Sequence, residues 1–407
     1  MLWQPSLPDR YLEMSEGEMR RCIEARRAEL GDDLLILGHH YQQDAVIQHA
    51  DLTGDSLKLS QMAAEEAVKR GTKYIVFCGV HFMAETADIV TDESVSVMLP
   101  DLSAGCSMAD MADVEDLEDC WEMVHGALGE DWLGRVVPIT YVNSTAAIKA
   151  FVGEHGGACC TSSNAMEIFN WALEGGTQPG AEGEEIKILF LPDQHLGRNT
   201  ASKFGLMTEG DEAAGRGATE TRLWQPKEDR GGLTEGQIRE AKVLLWAGHC
   251  SVHKLFRAEH VDQAREKYAD EGGVTVIVHP ECDKTVVDKA DLVGSTNFIL
   301  QELEKAEPGS HWAVGTEVHL VHRVASRMAG RGVEVFMLSE CQCLCTTMYR
   351  INPGHLLWVL DHLADGKVVN RIAVPADIAA SARLGLDRML AHAGGGKGIS
   401  PAVSSLS

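Results

Sequence analysis

Cysteine is the residue type with the most chemistry to offer in this chain. Eleven cysteines stand at positions 22, 78, 106, 120, 159, 160, 250, 282, 341, 343 and 345. With no basic then apolar leader in MLWQPSLPDRYLEMSEGE, they read as reduced thiols, available for metal ligation, redox chemistry or core packing. Loops that follow apolar segments carry Cys106 in LPDLSAGCSM, Cys250 in LLWAGHCSVH, and the group Cys341, Cys343 and Cys345 in SECQCLCTTM. One thiolate from each loop gives three ligands. A 4Fe-4S cluster normally takes four cysteines, so three would leave one iron open to substrate. A catalytic zinc with three thiolates and a water is the alternative, although all-thiolate zinc sites are usually structural and closed. The chain lacks the paired CxxC motifs of a zinc ribbon.

Around these thiols lie groups suited to proton transfer and anion binding. His39 and Tyr41 close the run LLILGHHY, where an imidazole can donate to phosphate or carboxylate and a hydrogen-bonded phenol can shuttle a proton. Tyr141 and Asn143 share a face by strand alternation, as do His279 and Glu281 across Pro280. His253 follows Cys250 at a spacing that keeps both on one side of a helical turn. The turns GDS, TSSNA and GST place Ser56, Ser162, Ser295 and Thr296 where helices begin. A hydroxyl and free backbone N–H groups there suit an anion. Any one of them alone reads first as an ordinary N-cap, and their recurrence at equivalent points weakens that reading in favour of an anion site.

The elements that must position these groups follow one plan three times. LLILGHHYQ leads through DAVIQHADLTGDSLKLSQMAAEEAVKRG to KYIVFCG, RVVPITYVNST through AAIKAFVGEHGGACCTSSNAMEIFNWALEGG to IKILFLPDQHLGRN, and VTVIVHPEC through DKTVVDKADLVGSTNFILQELEKA to HWAVGTEVHLVHR. Each copy reads as strand, helix, turn, helix, strand. Short apolar runs with polar C-terminal ends suit buried parallel strands, so three doubly wound α/β layers should present strand ends and helix starts to a shared crevice. The segments are an N-terminal helix (1–32), repeats over 33–118, 119–250 and 251–345, and a C-terminal stretch (346–407). Ser15 and Glu18 mark the start of that first helix, and Gly31 its end. The polar stretch from Thr208 to Gly232 reads as a surface excursion, and AGGGKGISPAVSSLS as a disordered tail without Walker spacing.

Composition excludes several classes. At 407 residues, 44% hydrophobic and 24% charged, the chain is long enough for a buried core. Its 36 basic against 61 acidic residues give a net charge of -25, which repels nucleic acid. No window resembles a membrane span, and a soluble cytoplasmic protein is expected.

In order and spacing, GHHYQ, GDSL, SAGCSM, TYVNST, TSSNA, LPDQHLGRN, GHCSVH, HPEC, GST and SECQCLCTTM make the chain resemble the quinolinate synthases, the A protein of de novo NAD biosynthesis. The likeness runs from GHHYQ to TTMYRINPGHL. It implies three pseudo-symmetric α/β domains around a central active site and a 4Fe-4S cluster held by Cys106, Cys250 and, three residues before Met348, Cys345. It implies condensation of iminoaspartate with dihydroxyacetone phosphate to quinolinate, with loss of phosphate and two waters, an open iron acting as Lewis acid. On this likeness Tyr41, Tyr141, Glu281 and His253 are catalytic. His39, Ser56, Tyr141, Asn143, Ser162, His279, Glu281, Ser295 and Thr296 contact substrate. Cys341 and Cys343 could form a regulatory disulfide, and Cys159, Cys160 and Cys282 pack beside the site. The source of iminoaspartate stays open, with room for functional coupling to an aspartate-oxidising enzyme. Another iron dehydratase, a zinc hydrolase, or a non-catalytic cluster sensor are the competing readings; the sensor would not need three hydroxyl-bearing turns.

Overall fold

The computed structural model describes residues 4–340 and 343–392. Cys341, half of the candidate Cys341–Cys343 disulfide, and the tail from Ala393 lie outside the described residues. The chain divides into two compact units, one of residues 4–106, 317–323 and 344–379, the other of the described parts of 107–316, 324–343 and 380–407.

In the first unit β1 (Leu34–His39), β2 (Leu52–Gly54), β3 (Tyr74–Cys78) and β4 (Ser96–Met98) form a parallel sheet in the order β2-β1-β3-β4. Every residue of β1 is buried, as expected for an apolar run covered on both faces. The second unit holds two sheets. One runs β6-β5-β7-β9-β8, from β5 (Gly134–Tyr141), β6 (Ala158–Cys160), β7 (Glu185–Leu191), β8 (Thr221–Trp224) and β9 (Val243–Trp246). The other runs β11-β10-β12-β13, from β10 (Thr275–Val278), β11 (Leu292–Val293), β12 (His311–Gly315) and β13 (Glu334–Met337). All of these pair in parallel. A last strand, β14 (Arg371–Ile372), returns to the first sheet antiparallel to β4.

The fold is thus α/β with three parallel sheets, each begun by the same unit. A central strand (β1, β5 or β10) leads through a helix to a short edge strand (β2, β6 or β11), then through a second helix to the strand on the other side. The expected turn is therefore a short strand followed by a helix start. The stretch 208–232 is more than a surface excursion: β8 lies within it, forms a sheet edge against β9, and buries Thr221 and Trp224.

Local signals set the ends of the first long helix, Glu16–Leu30. Ser15 Oγ accepts from Glu18 N at 3.4 Å, and Gly31 follows at φ 53°, a backbone that favours glycine. This helix packs Ile23 with Leu356, Leu357 and Leu360 of helix Pro353–Ala364 and with Ile36 of β1. In the second unit Phe151, Leu189, Trp224, Leu244 and Trp246 form the core, and Trp246 Nε1 donates to Met111 O at 2.7 Å. Among the described residues no helix is long and apolar enough to cross a membrane.

Candidate active site

The C-terminal ends of four strands in the second unit supply one constellation, where open α/β sheets place their ligands. Tyr141 ends β5, Asp193 follows β7, Cys250 and His253 follow β9, and His279 and Glu281 follow β10. Tyr141 Oη donates to Glu281 Oε1 at 2.5 Å. His279 Nδ1 lies 3.6 Å from the same oxygen and His253 Nε2 3.9 Å from Glu281 Oε2. The two imidazoles stack at 4.3 Å between centroids and 12° between planes. Cys250, His253 and Glu281 each offer a ligand atom, all within 4.8 Å of one another, a thiol, imidazole and carboxylate set able to hold a metal ion.

The loops are held by backbone contacts. Cys250 N donates to Asp193 Oδ2 at 3.2 Å, while Asp193 Oδ1 caps helix Gln194–Lys203 by accepting from Leu196 N at 2.7 Å. Gly248 bridges to Asp193, and a Cβ at Gly248 would stand 2.3 Å from Pro192 O, so only glycine allows this approach. Asn199 Nδ2 donates at 2.8 Å to both Pro280 O and Cys282 O.

Burial decides the charges. Glu281 is 3% exposed, and burial, followed by the nearby Asp193 carboxylate, pushes its proton affinity well above the usual carboxylate range despite the Tyr141 and Cys250 hydrogen bonds. Burial also raises Asp193. It lowers His253 to about 3, so this imidazole is neutral near pH 7. The site thus pairs a carboxyl group that holds a proton readily with a neutral imidazole.

The remaining expected residues of this unit sit at the same ends of their strands. Asn143 lies just past β5, and its buried Oδ1 meets no hydrogen-bond partner among the described residues, leaving an acceptor for a ligand. Ser162 is in the turn after β6, but Asn164 organises that turn, accepting from Thr161 N at 2.8 Å. Ser295 is the N-cap of helix Thr296–Glu304, accepting from Phe298 N at 3.4 Å, and Thr296 is the first helical residue. Cys159, Cys160 and Cys282 are buried, with their thiols pushed up by burial.

In the first unit, His39 ends β1, is buried, and is lowered to about 3 by burial. Its Nδ1 accepts from Tyr41 N at 3.1 Å, and the Tyr41 ring meets it edge-on at 4.7 Å. Arg323 steadies this loop, donating to Asp44 Oδ1 at 2.6 Å and His40 O at 3.0 Å. Ser56 begins helix Ser56–Arg70, but the cap is Asp55, whose Oδ1 accepts from Lys58 N at 2.9 Å. Cys106 is half-buried. Cys345 precedes helix Thr346–Tyr349, its N–H donating to buried Glu317 Oε1 at 3.4 Å and its Sγ lying 3.5 Å from Thr347 Oγ1.

Of the ten described cysteines, Cys106, Cys250 and Cys345 are half-buried, as is Cys22 in the first long helix, while the other six are buried. The three loop thiols therefore differ from the core thiols in access as well as in position. Sequence reasoning passed over Asp193 and Asn199, although both lie in the polar LPDQHLGRN segment at the end of β7. Polar residues directly after a buried strand were the available signal.

A family model described as Quinolinate synthetase A protein matches residues 21–391. A quinolinate synthase of Acidobacterium capsulatum is 51% identical over 383 residues, covering 94% of this chain and 95% of that protein. One of Corynebacterium glutamicum is 48% identical, covering 95% and 91%, and one of Herpetosiphon aurantiacus 50% identical, covering 94% and 95%.

Proposed function

Because the chain belongs to the Quinolinate synthetase A family, we propose that it is a quinolinate synthase that condenses iminoaspartate with dihydroxyacetone phosphate, releasing phosphate and two waters. The observation that best supports this chemistry is the buried Tyr141–Glu281 pair, flanked by stacked His253 and His279 and by Cys250. The condensation needs protons removed from and returned to carbon, nitrogen and oxygen in a site shielded from water. Glu281 is the proposed general base, and its raised proton affinity brings it nearer the operating pH. Tyr141 donates to Glu281 Oε1, fixing that oxygen and offering a relay for its proton. His253, neutral, can accept or donate at a ring nitrogen, and Tyr41 is the remaining proposed proton carrier.

The proposed cofactor is a 4Fe-4S cluster, which Cys106, Cys250 and Cys345 would hold and which, with three protein thiolates, would supply Lewis acidity toward substrate. The half-buried state of these three thiols supports the assignment, since a ligand sulfur must be reachable. His39, Ser56, Asn143, Ser162, His279, Ser295 and Thr296 are proposed to bind the carboxylates and phosphate of the substrates. An imine hydrolyses in water, so coupling to an aspartate-oxidising enzyme belongs to the same proposal, as does a cytoplasmic location that keeps thiols reduced.

Anaerobic purification with iron, sulfide and zinc analysis, followed by a quinolinate assay, tests this reading. About four iron and four sulfide per chain are expected. Cys106→Ser, Cys250→Ser and Cys345→Ser should each lose them, and Cys343→Ser should not. Zinc in place of iron would support the hydrolase reading instead, on the same three thiolates or on the set Cys250, His253 and Glu281.

A further inference from the structure

One side chain brackets the proposed base. Asn199, buried at 5% exposure on helix Gln194–Lys203, spends both protons of its amide on the two peptide carbonyls that flank Glu281: Pro280 O and Cys282 O, each at 2.8 Å. Only the NH2 side of an amide can face two carbonyl oxygens, so the orientation is fixed. The bonds cross between the two sheets of the second unit, from the helix after β7 to the loop after β10. The same helix begins at Asp193, which holds Cys250 N. A single rigid element therefore spans the backbone of the Cys250 loop and the backbone on either side of Glu281. Within the 279–282 loop, His279 N donates to Gly315 O of β12 at 3.1 Å, before Glu281, and the ties at Glu281 and Cys282 themselves are local: Cys282 N to His279 O at 3.0 Å and Glu281 N to His279 Nδ1 at 3.4 Å.

We propose that Asn199 is a positioning residue for Glu281, setting where its carboxylate stands relative to Tyr141 and Cys250. This rests on the assignment of Glu281 to proton transfer. A base displaced by a fraction of an ångström to an ångström loses rate without losing substrate, so the effect belongs in kcat.

The test is Asn199→Gln, which keeps both donors but shifts them by one methylene, with Asn199→Ala beside it. Asn199→Gln should fold and retain the iron of the wild type. Its kcat should fall by about 10²-fold, with KM little changed. In metal-free protein, amide hydrogen exchange at residues 281 and 282 should quicken while that of β10 stays slow. Combined with Glu281→Gln, it should add little further loss, because the group it positions is already gone. Wild-type kcat in Asn199→Gln, unchanged exchange at 281 and 282, or losses that multiply in the double variant would each overturn the inference. Glu281→Gln turning over at the wild-type rate would instead remove the base assignment, and this inference with it, and that single variant alone reports it.

Discussion

Glu281 and Cys250 are neighbours with separable duties on the proposed mechanism. Glu281→Gln should lower turnover by about 10²- to 10⁴-fold, the usual worth of a general base, with iron content unchanged. His39 yields a stability prediction. Its folded value, about 3, lies below the ordinary 6.5 of an unfolded histidine. Between those values the unfolded chain binds a proton that the folded protein refuses, so stability is full above pH 6.5 and falls as pH drops toward 3. The slope is about 1.4 kcal/mol per pH unit for such a group. Chemical denaturation at pH 7 and pH 5 should show this loss in wild type, and a smaller one in His39→Gln. The residues at strand ends were legible because long apolar runs announce buried strands, and polar groups placed just beyond them have few structural uses. Asn199 was not legible, because its partners lie some 80 positions away and only the packed loops bring them within reach.

At the scale of elements, the three helix starts after the short strands are built differently from one another. Asp55, not Ser56, caps its helix, whereas Ser295 is itself a cap. Asp55→Ala should cost about 0.5–2 kcal/mol, and Ser56→Ala less than about 0.5 kcal/mol. A loss of activity in Ser56→Ala without loss of stability would mark its hydroxyl as a substrate contact. Thermal denaturation beside the quinolinate assay separates the two. Gly248→Ala forces a methyl against Pro192 O and should break the Asp193 to Cys250 contact, lowering both melting temperature and iron content. The repeated strand, helix, helix, strand order was legible in the sequence. The edge strands β2, β6 and β11 were not, because two or three residues cannot display a period of two, and only pairing to β1, β5 and β10 defines them. β8 was hidden for a related reason: its partly polar composition suits the edge of a sheet rather than its centre.

For the molecule as a whole, a net charge of -25 opposes the approach of anionic substrates. That repulsion is long-ranged and is screened as the Debye length shrinks from about 30 Å at 0.01 M salt to about 8 Å at 0.15 M. On the proposed substrates, kcat/KM should therefore rise with ionic strength over that range, while kcat stays level. A fall instead would show that local positive groups govern the encounter. The strand β14 carries a further consequence, one of timing. It completes the first sheet by pairing Arg371 with Met98, and residues 356–363 fill the core beneath Ile23 and Ile36. At about 5–20 residues per second of synthesis, the roughly 270 residues between these partners take about 15–50 s to emerge. During that wait the edge of β4 and the apolar face of the first long helix are made but uncovered, while both sheets of the second unit can form. The earliest sheet to be synthesised is thus the last to be sealed, and a nascent chain stalled before residue 356 should be the species that chaperones bind and that aggregates.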